Sequence, residues 1–561
     1  MRTLSRPLWL GIVVAMIFAG YVAYPVWTTL AHSLQIDGTL TLDRYRSLVD
    51  SANAEAAWNS VWVSVLSVVC SGVVGTFLGF VMTQIDFPLK RFLAPIAILP
   101  IGLPPLVGVI AFLFVIGPSG ILPRLMQQAL GSASVPFALE GVSAILVVHV
   151  YSFSVYFYLF VSDALARLDG SVVEAAAGLG AGPARIIRSV VFPHLRPALF
   201  GASALTFMSS MASFSAPLLF AGGRRFITLQ IYYSKLNGDM DLAAAQSVFL
   251  LVLSLVFFVV LTVTRGRDSG TGATKGVIRF RTLRVRKASR RICVGVTWLI
   301  LFVYVLPLVT IVLISLASEG RWTSQILPPS YTAENYGRLF SDPQIFGPIA
   351  NSLIMATVAT AGALMMGTAA SYLLTKTGLR RKRVAADLLL TMPYAIPGTV
   401  VAISLILSFN HPVLPAGFAI LVGTFWILPL AYFVRLYPLV VRSTSASLER
   451  LDDSILEAAE SFGAGLGRRF RTIVAPLIFP SVVSGGLLVF ITAVGEFVSS
   501  ILLYTYSNRP ISVEILAQLR IFNLGRAAAY SVVLLVLILL ITAIAGRLSS
   551  RSSRSTVPVQ S

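Results

Sequence analysis

The chain has 561 residues, 56% of them hydrophobic and 12% charged, with a formal net charge of +20 and two cysteines. About 25% charged residues is usual for a soluble globular domain, so the deficit places this chain in a bilayer. Two cysteines exclude a disulfide framework and any cysteine-rich metal site, and no cofactor is implied.

The chain opens with "MRTLSRPLWLGIVVAMIFAGYVAYPVW", Arg2 and Arg6 before a long apolar run. The run exceeds the 7–15-residue core of a signal peptide and no persuasive cleavage site follows, so it reads as a retained first span. Stretches able to cross about 30 Å of hydrocarbon recur at 8–31, 57–82, 92–117, 142–163, 197–221, 243–264, 293–317, 350–375, 385–409, 415–438, 480–504 and 527–546. Prolines inside several, such as Pro100 and Pro104, are tolerated where neighbouring helices re-satisfy the freed backbone groups.

With the N-terminus inside, segments 1–7, 83–91, 164–196, 265–292, 376–384, 439–479 and 547–561 hold 31 Lys and Arg, against 11 outside, and Arg435 is expected near the inner end of the tenth span. The positive-inside rule therefore accounts for the basic excess and puts both termini in the cytoplasm.

The chain repeats itself. "ALARLDGSVVEAAAGLGAG" at 164–182 aligns with "SLERLDDSILEAAESFGAG" at 447–465, "ILPIGLPP" at 98–105 with "TMPYAIPG" at 391–398, and Asn59-Ser60 with Asn351-Ser352. Each half carries six spans in one order. Six is even, so the copies share an orientation and can be related by an axis along the membrane normal. The expected organisation is all-α and polytopic: a first half at 1–264, a basic linker at 265–292, a second half at 293–546 and a tail at 547–561. The linker is Gly/Ser/Thr-rich and then arginine-rich, which reads as a flexible connector lying against anionic headgroups rather than a nucleic-acid or lipid-specific site.

Between the fourth and fifth spans of each half lies a polar elbow, "EAAAGLGAGPARIIRSVVFP" at 174–193 and "EAAESFGAGLGRRFRTIVAP" at 457–476. Ser171 stands three residues before Glu174, and Ser454 three before Glu457, a capping-box spacing. Gly180 and Gly463 should end that helix. A second short helix should follow, with Ile186, Ile187, Val190 and Val191, or Phe470, Ile473 and Val474, on its apolar side, and with Pro193 or Pro476 ending it.

The spacing Glu-Ala-Ala-x3-Gly-x9-[Val/Ile]-x2-Pro fits both copies without a gap. It resembles the EAA motif of permease subunits of type I ATP-binding-cassette importers, the MetI-like permeases, and the resemblance extends over nearly the whole chain. It implies that each elbow is a coupling helix seated in a groove of a separate cytoplasmic ATPase. Glu174, Ala175, Ala176, Gly180 and Pro193 carry it in one copy, and Glu457, Ala458, Ala459, Gly463 and Pro476 in the other. The glutamates would make charge-assisted contacts and the glycines the tight turn. The implied partners are two copies of the ATPase, an external substrate-binding protein and the lipid bilayer, with no nucleic acid. Fused permeases of this length resemble those of ferric-iron importers; relatives serve 2-aminoethylphosphonate, thiamine, sulfate and polyamines.

The chain lacks a G-x-x-x-x-G-K-[ST] phosphate loop, so ATP hydrolysis is expected from the partner and the chain is not expected to be an enzyme. "FMSSMASFSAPLLF" at 207–220 aligns with "FITAVGEFVSSILL" at 490–503, setting Ser213 opposite Glu496. An ionisable group within the bilayer costs roughly 2.5–3.5 kcal/mol on insertion scales and marks a pathway by default. Ser209, Ser210, Ser213 and Glu496 are the expected lining of the substrate pathway, with a helix-bridging bond as the alternative for Glu496. His149 reads either as a satisfied interhelical hydrogen bond or as a ligand or proton carrier. A proton-coupled secondary transporter would share the two parallel repeats, but would need several intramembrane carboxylates or histidines and no elbows. A membrane-embedded enzyme would need a polar catalytic cluster.

Overall fold

The computed structural model describes residues 8–36, 39–132, 139–268, 287–320, 322, 325–376 and 383–554. These are almost entirely helical, apart from a two-stranded antiparallel ribbon pairing Gln35–Ile36 with Thr39–Leu40 and a single bridge between Ala317 and Tyr331. Among them, nine helices are long and apolar enough to cross a membrane, and a tenth crossing forms if Val384–Ala395 and Gly398–Phe409, bent by 96°, make one span.

The two remaining expected spans exist as helices that are less apolar. Phe192–Met211 carries His194 and Arg196, and Ile427–Glu449 carries Arg435 and Arg442. The tenth span also starts later than its expected limit of 415, because 417–426 is spent on turns, with Gly417 and Gly423 at positive φ. Arg435 therefore sits in the third turn of its helix, and not near its inner end as expected. The expected spans 92–117 and 385–409 are each interrupted at the aligned proline pairs. Pro104 and Pro397 push the residues before them out of the helical region, so Leu103 has φ −87°, ψ 129° and Ile396 has φ −74°, ψ 123°.

Packing divides the chain into two compact units: Val49–Gln230 with Val256–Thr332, and Met1–Leu48 with Ile231–Leu255 and Ala333–Ser561. The opening helix of each half thus packs with elements of the other half. The Tyr304 hydroxyl shares a hydrogen bond with Ser154, and Thr29 Oγ1 donates to Ser404 Oγ at 2.7 Å.

Inside each unit the second and fourth spans of the repeat meet on small residues. A Cβ on Gly75 would lie 2.1 Å from the Ser154 carbonyl oxygen, and one on Gly367 would lie 2.5 Å from Val440 Cβ. These glycines belong to Ser71-x3-Gly75-x3-Gly79 and Ala363-x3-Gly367-x3-Ser371, the small-residue spacing by which membrane helices approach closely without a hydrophobic driving force. Ser371 Oγ adds a hydrogen bond to the Val441 carbonyl at 3.0 Å.

Candidate functional site

The first elbow begins at Gly170 and the second at Asp453. Their caps differ from the expected capping box. The carboxylates of Asp169 and Asp452, not the serine hydroxyls, accept from the backbone N–H of Ser171 and Ser454, at 2.9 and 3.0 Å. A carboxylate at the N-cap meets both the unpaired N–H groups and the positive end of the helix, which favours Asp there. The hydrogen bond from the Ser454 amide, aided by its hydroxyl and by Lys376, holds the Asp452 carboxyl below its usual value.

Gly180 and Gly463 end the elbow helices at φ 80° and 76°. The N–H of Ala181 bonds back to the Ala176 carbonyl at 3.1 Å, and Ala464 to Ala459 at 3.0 Å. This six-to-one closure needs a left-handed residue, which glycine adopts without strain. Ala176 also packs against the core beneath the first elbow.

That core is repeated. Leu165, Val173, Val191 and Leu195 are buried together in one copy; Leu448, Leu456, Val474 and Ile478, each 283 positions later, are buried together in the other. The next segment departs from expectation. Pro193 and Pro476 do not end a short helix. Each lies two residues past a π turn, Ile187–Val191 or Phe470–Val474, and the helix runs on into the fifth span. In the π turns the N–H groups of Phe192 and Ala475 bond five residues back, to Ile187 and Phe470. The widened turn gives the following proline ring room that a regular turn denies it. Of the expected apolar side, Ile186, Val191 and Val474 are buried, while Ile187 and Phe470 are exposed.

Glu174 and Glu457 stand exposed on the elbows, their carboxylates unpaired within the described residues. At each tip, just before the glycine, a large apolar side chain projects into the open: Leu179 is 89% and Phe462 91% exposed. The sequence reading passed over this pair, although the alignment sets one opposite the other. The second elbow is also braced, by Arg469 to Glu460 at 2.8 Å and by Lys376 to the Leu451 carbonyl at 2.9 Å.

The expected pathway residues fall into two polar clusters, each within one unit. In the first, His149 Nδ1 lies 2.8 Å from Ser67 Oγ and 3.2 Å from Ser210 Oγ, and its Nε2 lies 3.0 Å from Ser213 Oγ. The imidazole bridges three helical segments, and the site borders a small cavity that Ser60, Ser64 and Thr228 also line. Ser209 is half-buried and takes no part. In the second cluster Glu496 sits at the break that follows the Ala475–Val494 helix. Its carboxylate pairs with Arg435, and its Oε1 accepts from the Ser499 N–H at 3.2 Å and the Ser499 hydroxyl at 3.1 Å. Its backbone carbonyl accepts from Ser500 and Ser512, both at 2.7 Å.

A binding-protein-dependent transport system inner membrane component domain matches this chain twice, at residues 73–266 and 367–554. The chain belongs to that family. It is an ABC transporter permease in fused, double-length form and a multi-pass inner membrane protein. Among its relatives, a probable ABC transporter permease of Sinorhizobium fredii is 28% identical over 90% of this chain and 90% of its own length. A putative ferric transport system permease of Haemophilus influenzae is 26% identical over 83% of this chain and 72% of its own. A molybdenum transport system permease of Mycobacterium tuberculosis is 32% identical, with 91% of its length matched to 45% of this chain. One family domain thus corresponds to one half, and both domains span an elbow and the fifth and sixth helices.

Proposed function

We propose that the chain is the translocating subunit of an ATP-driven importer, taking a small solute from an external binding protein and coupling to two copies of a separate ABC ATPase through the two elbows. The observation that carries this is the pair of elbows: the same cap, the same glycine turn, the same buried core and the same bare apolar tip, twice. A surface loop has no need of that shape in duplicate; a two-fold partner does. On this reading Glu174, Ala175, Ala176, Gly180 and Pro193, with Glu457, Ala458, Ala459, Gly463 and Pro476, form the docking elements, and Leu179 and Phe462 fill pockets on the ATPase. On the charge count we assign the elbows and both termini to the cytoplasm, along with a basic linker at 265–292 and a tail at 547–561.

Ferric iron is the substrate we favour, supported by the ferric permease relative that matches most of the chain; 2-aminoethylphosphonate, thiamine, sulfate and polyamines are the alternatives. Ser209, Ser210, Ser213 and Glu496 are proposed to line or gate the pathway. Because the Glu496 carboxylate is saturated by Arg435 and Ser499, its part is better described as gating than as direct cation binding. The test is to purify the full chain from its native membrane, identify the ATPase that accompanies it, and measure ATP-dependent uptake of ferric iron in proteoliposomes. A chain that purifies without an ATPase and transports under a proton gradient alone sinks the reading.

A further inference from the structure

We propose that the charged contact the substrate meets in the second half is Arg435, with Glu496 as its positioning residue, and that the site takes an oxygen-bearing anion: an oxyanion, or a metal ion carried inside an anionic oxygen-ligand complex. The proposal rests on the importer reading and not on the choice of ferric iron.

Within the pair the carboxylate is the closed partner and the guanidinium the open one. The Glu496 side chain is 6% exposed and that of Arg435 is 23%. One oxygen of Glu496 faces Arg435, and the other takes both the N–H and the hydroxyl of Ser499. Gly398 lies alongside, where an added Cβ would come within 3.3 Å of Oε1. Among the described residues both oxygens of this carboxylate are thus engaged, which disfavours direct cation binding there. Arg435 spends Nη1 on Glu496, while its Nε is buried and has no partner among the described residues. A buried N–H without an acceptor is destabilising, and an incoming oxygen would remove that penalty.

The geometry fits anion recognition. A guanidinium held in one orientation by a carboxylate can present its other edge as a fork for two oxygens once the buried Nε is uncovered. A second arginine lies seven residues on, two turns down the same helix. Arg442 is fixed in the same manner, by Asp387 at 3.0 Å and Thr391 at 3.1 Å, and is half-exposed. Both arginines are therefore steered by a carboxylate from a broken segment of the same unit: Glu496 from the break after the fifth span, Asp387 from the first part of the bent pair. At the aligned positions of the first half stand Ser152 and Leu159, so this stripe is a property of the second half alone.

The experiment is thermal unfolding of the detergent-solubilised full chain with molybdate, 2-aminoethylphosphonate or ferric citrate, and with spermidine and magnesium as cationic probes. At least one anion should raise the midpoint by an amount on the order of a few degrees, as ligand at ~100-fold over Kd does, and neither cation should. Arg435→Lys, which keeps the charge but not the forked edge, should keep only a minor part of the shift, and Arg435→Gln should lose it. The double variant Arg435→Gln with Glu496→Gln buries no unpaired charge and so tests recognition apart from folding; it too should show no shift. Response to molybdate or the phosphonate would mark a free oxyanion, and response to ferric citrate alone an iron complex. The proposal is overturned if no anion stabilises the chain, if a cation does so, or if the double variant responds like the native protein. Absence of a co-purifying ATPase would instead remove the importer reading and leave the anion result standing.

Discussion

The hydroxyl of Ser352 accepts the backbone N–H of Ile511 at 2.8 Å, and one turn of phrase in the sequence, Asn-Ser, makes the same latch in both halves. Ser60 takes the N–H of Ile227 at 3.0 Å, while Asn59 and Asn351 donate to the carbonyls of Arg225 and Arg509 at 3.0 and 3.1 Å. Each latch ties the start of the second span to the segment that follows the fifth. Replacing Ser60 or Ser352 by Ala leaves a buried N–H without a partner, at a cost of about 1–3 kcal/mol. Each single variant should lower the unfolding midpoint, and hydrogen exchange should rise first at the amide of Ile227 or Ile511. Unchanged exchange at those amides would show that another acceptor serves them.

The elbow tips supply a second prediction. Burying Phe462 or Leu179 in a partner is worth about 1.5–3 kcal/mol each, so Phe462→Ser or Leu179→Ser should weaken ATPase retention roughly tenfold or more. Charge reversal at Glu174 and Glu457 together should abolish ATP-dependent uptake, and each single reversal should hurt less, since one elbow remains. Retention of the ATPase on an affinity column and uptake in proteoliposomes are the two readouts. Full uptake by the double reversal contradicts the coupling assignment.

Close helix contact gives a third. Gly75→Ala drives a methyl into the Ser154 carbonyl, and Gly367→Ala into the Val440 side chain. Overpacking of this kind costs typically 1–3 kcal/mol. Both variants should unfold at lower temperature, whereas Gly102→Ala, with open space at its Cβ, should not. Equal midpoints for all three would mean that the spans can part without penalty.

The cap of the second elbow is pH-dependent in a definite sense. The Asp452 carboxyl is depressed by the Ser454 amide. Its contribution is therefore fully present above the ordinary carboxylate value of about 3.9 and is lost as pH falls through the lowered folded value. Amide exchange at Ser454 should stay slow down to that range and quicken below it, and Asp452→Asn should remove the pH dependence. Quickening already between pH 5 and 6 would show that a different group holds the helix start.

Much of this was readable from residues alone. The duplicated elbows, their glycine turns and the two-fold order of spans follow from apolar run length and from matches at a fixed offset. What the sequence hid has three physical sources. The Asp caps were missed because a Ser-x-x-Glu spacing is satisfied by several local geometries, and only backbone position decides between them. Continuity through Pro193 and Pro476 was missed because proline normally stops a helix, and a π turn leaves no one-residue signature. The partner of Glu496 was missed because the start of the tenth span depends on turns at 417–426, and a shift of about three helical turns, at 3.6 residues each, moved Arg435 from an expected helix end to its interior. The Ser210–His149–Ser213 cluster was half legible: each residue had been noticed, but not that one ring joins two of the expected pathway serines.

The π turns also make each elbow one end of a lever. From Pro183 to Met211 the backbone is helical without a gap. At 1.5 Å per residue that is a rod about 40 Å long. Such a rod, tilted by about 10° at one end, carries the other through about 7 Å, more than the pitch of a helical turn. The far end is the break at 212–214, where Ser213 meets His149. A proline that severed the rod would absorb the tilt locally; the widened turn passes it on.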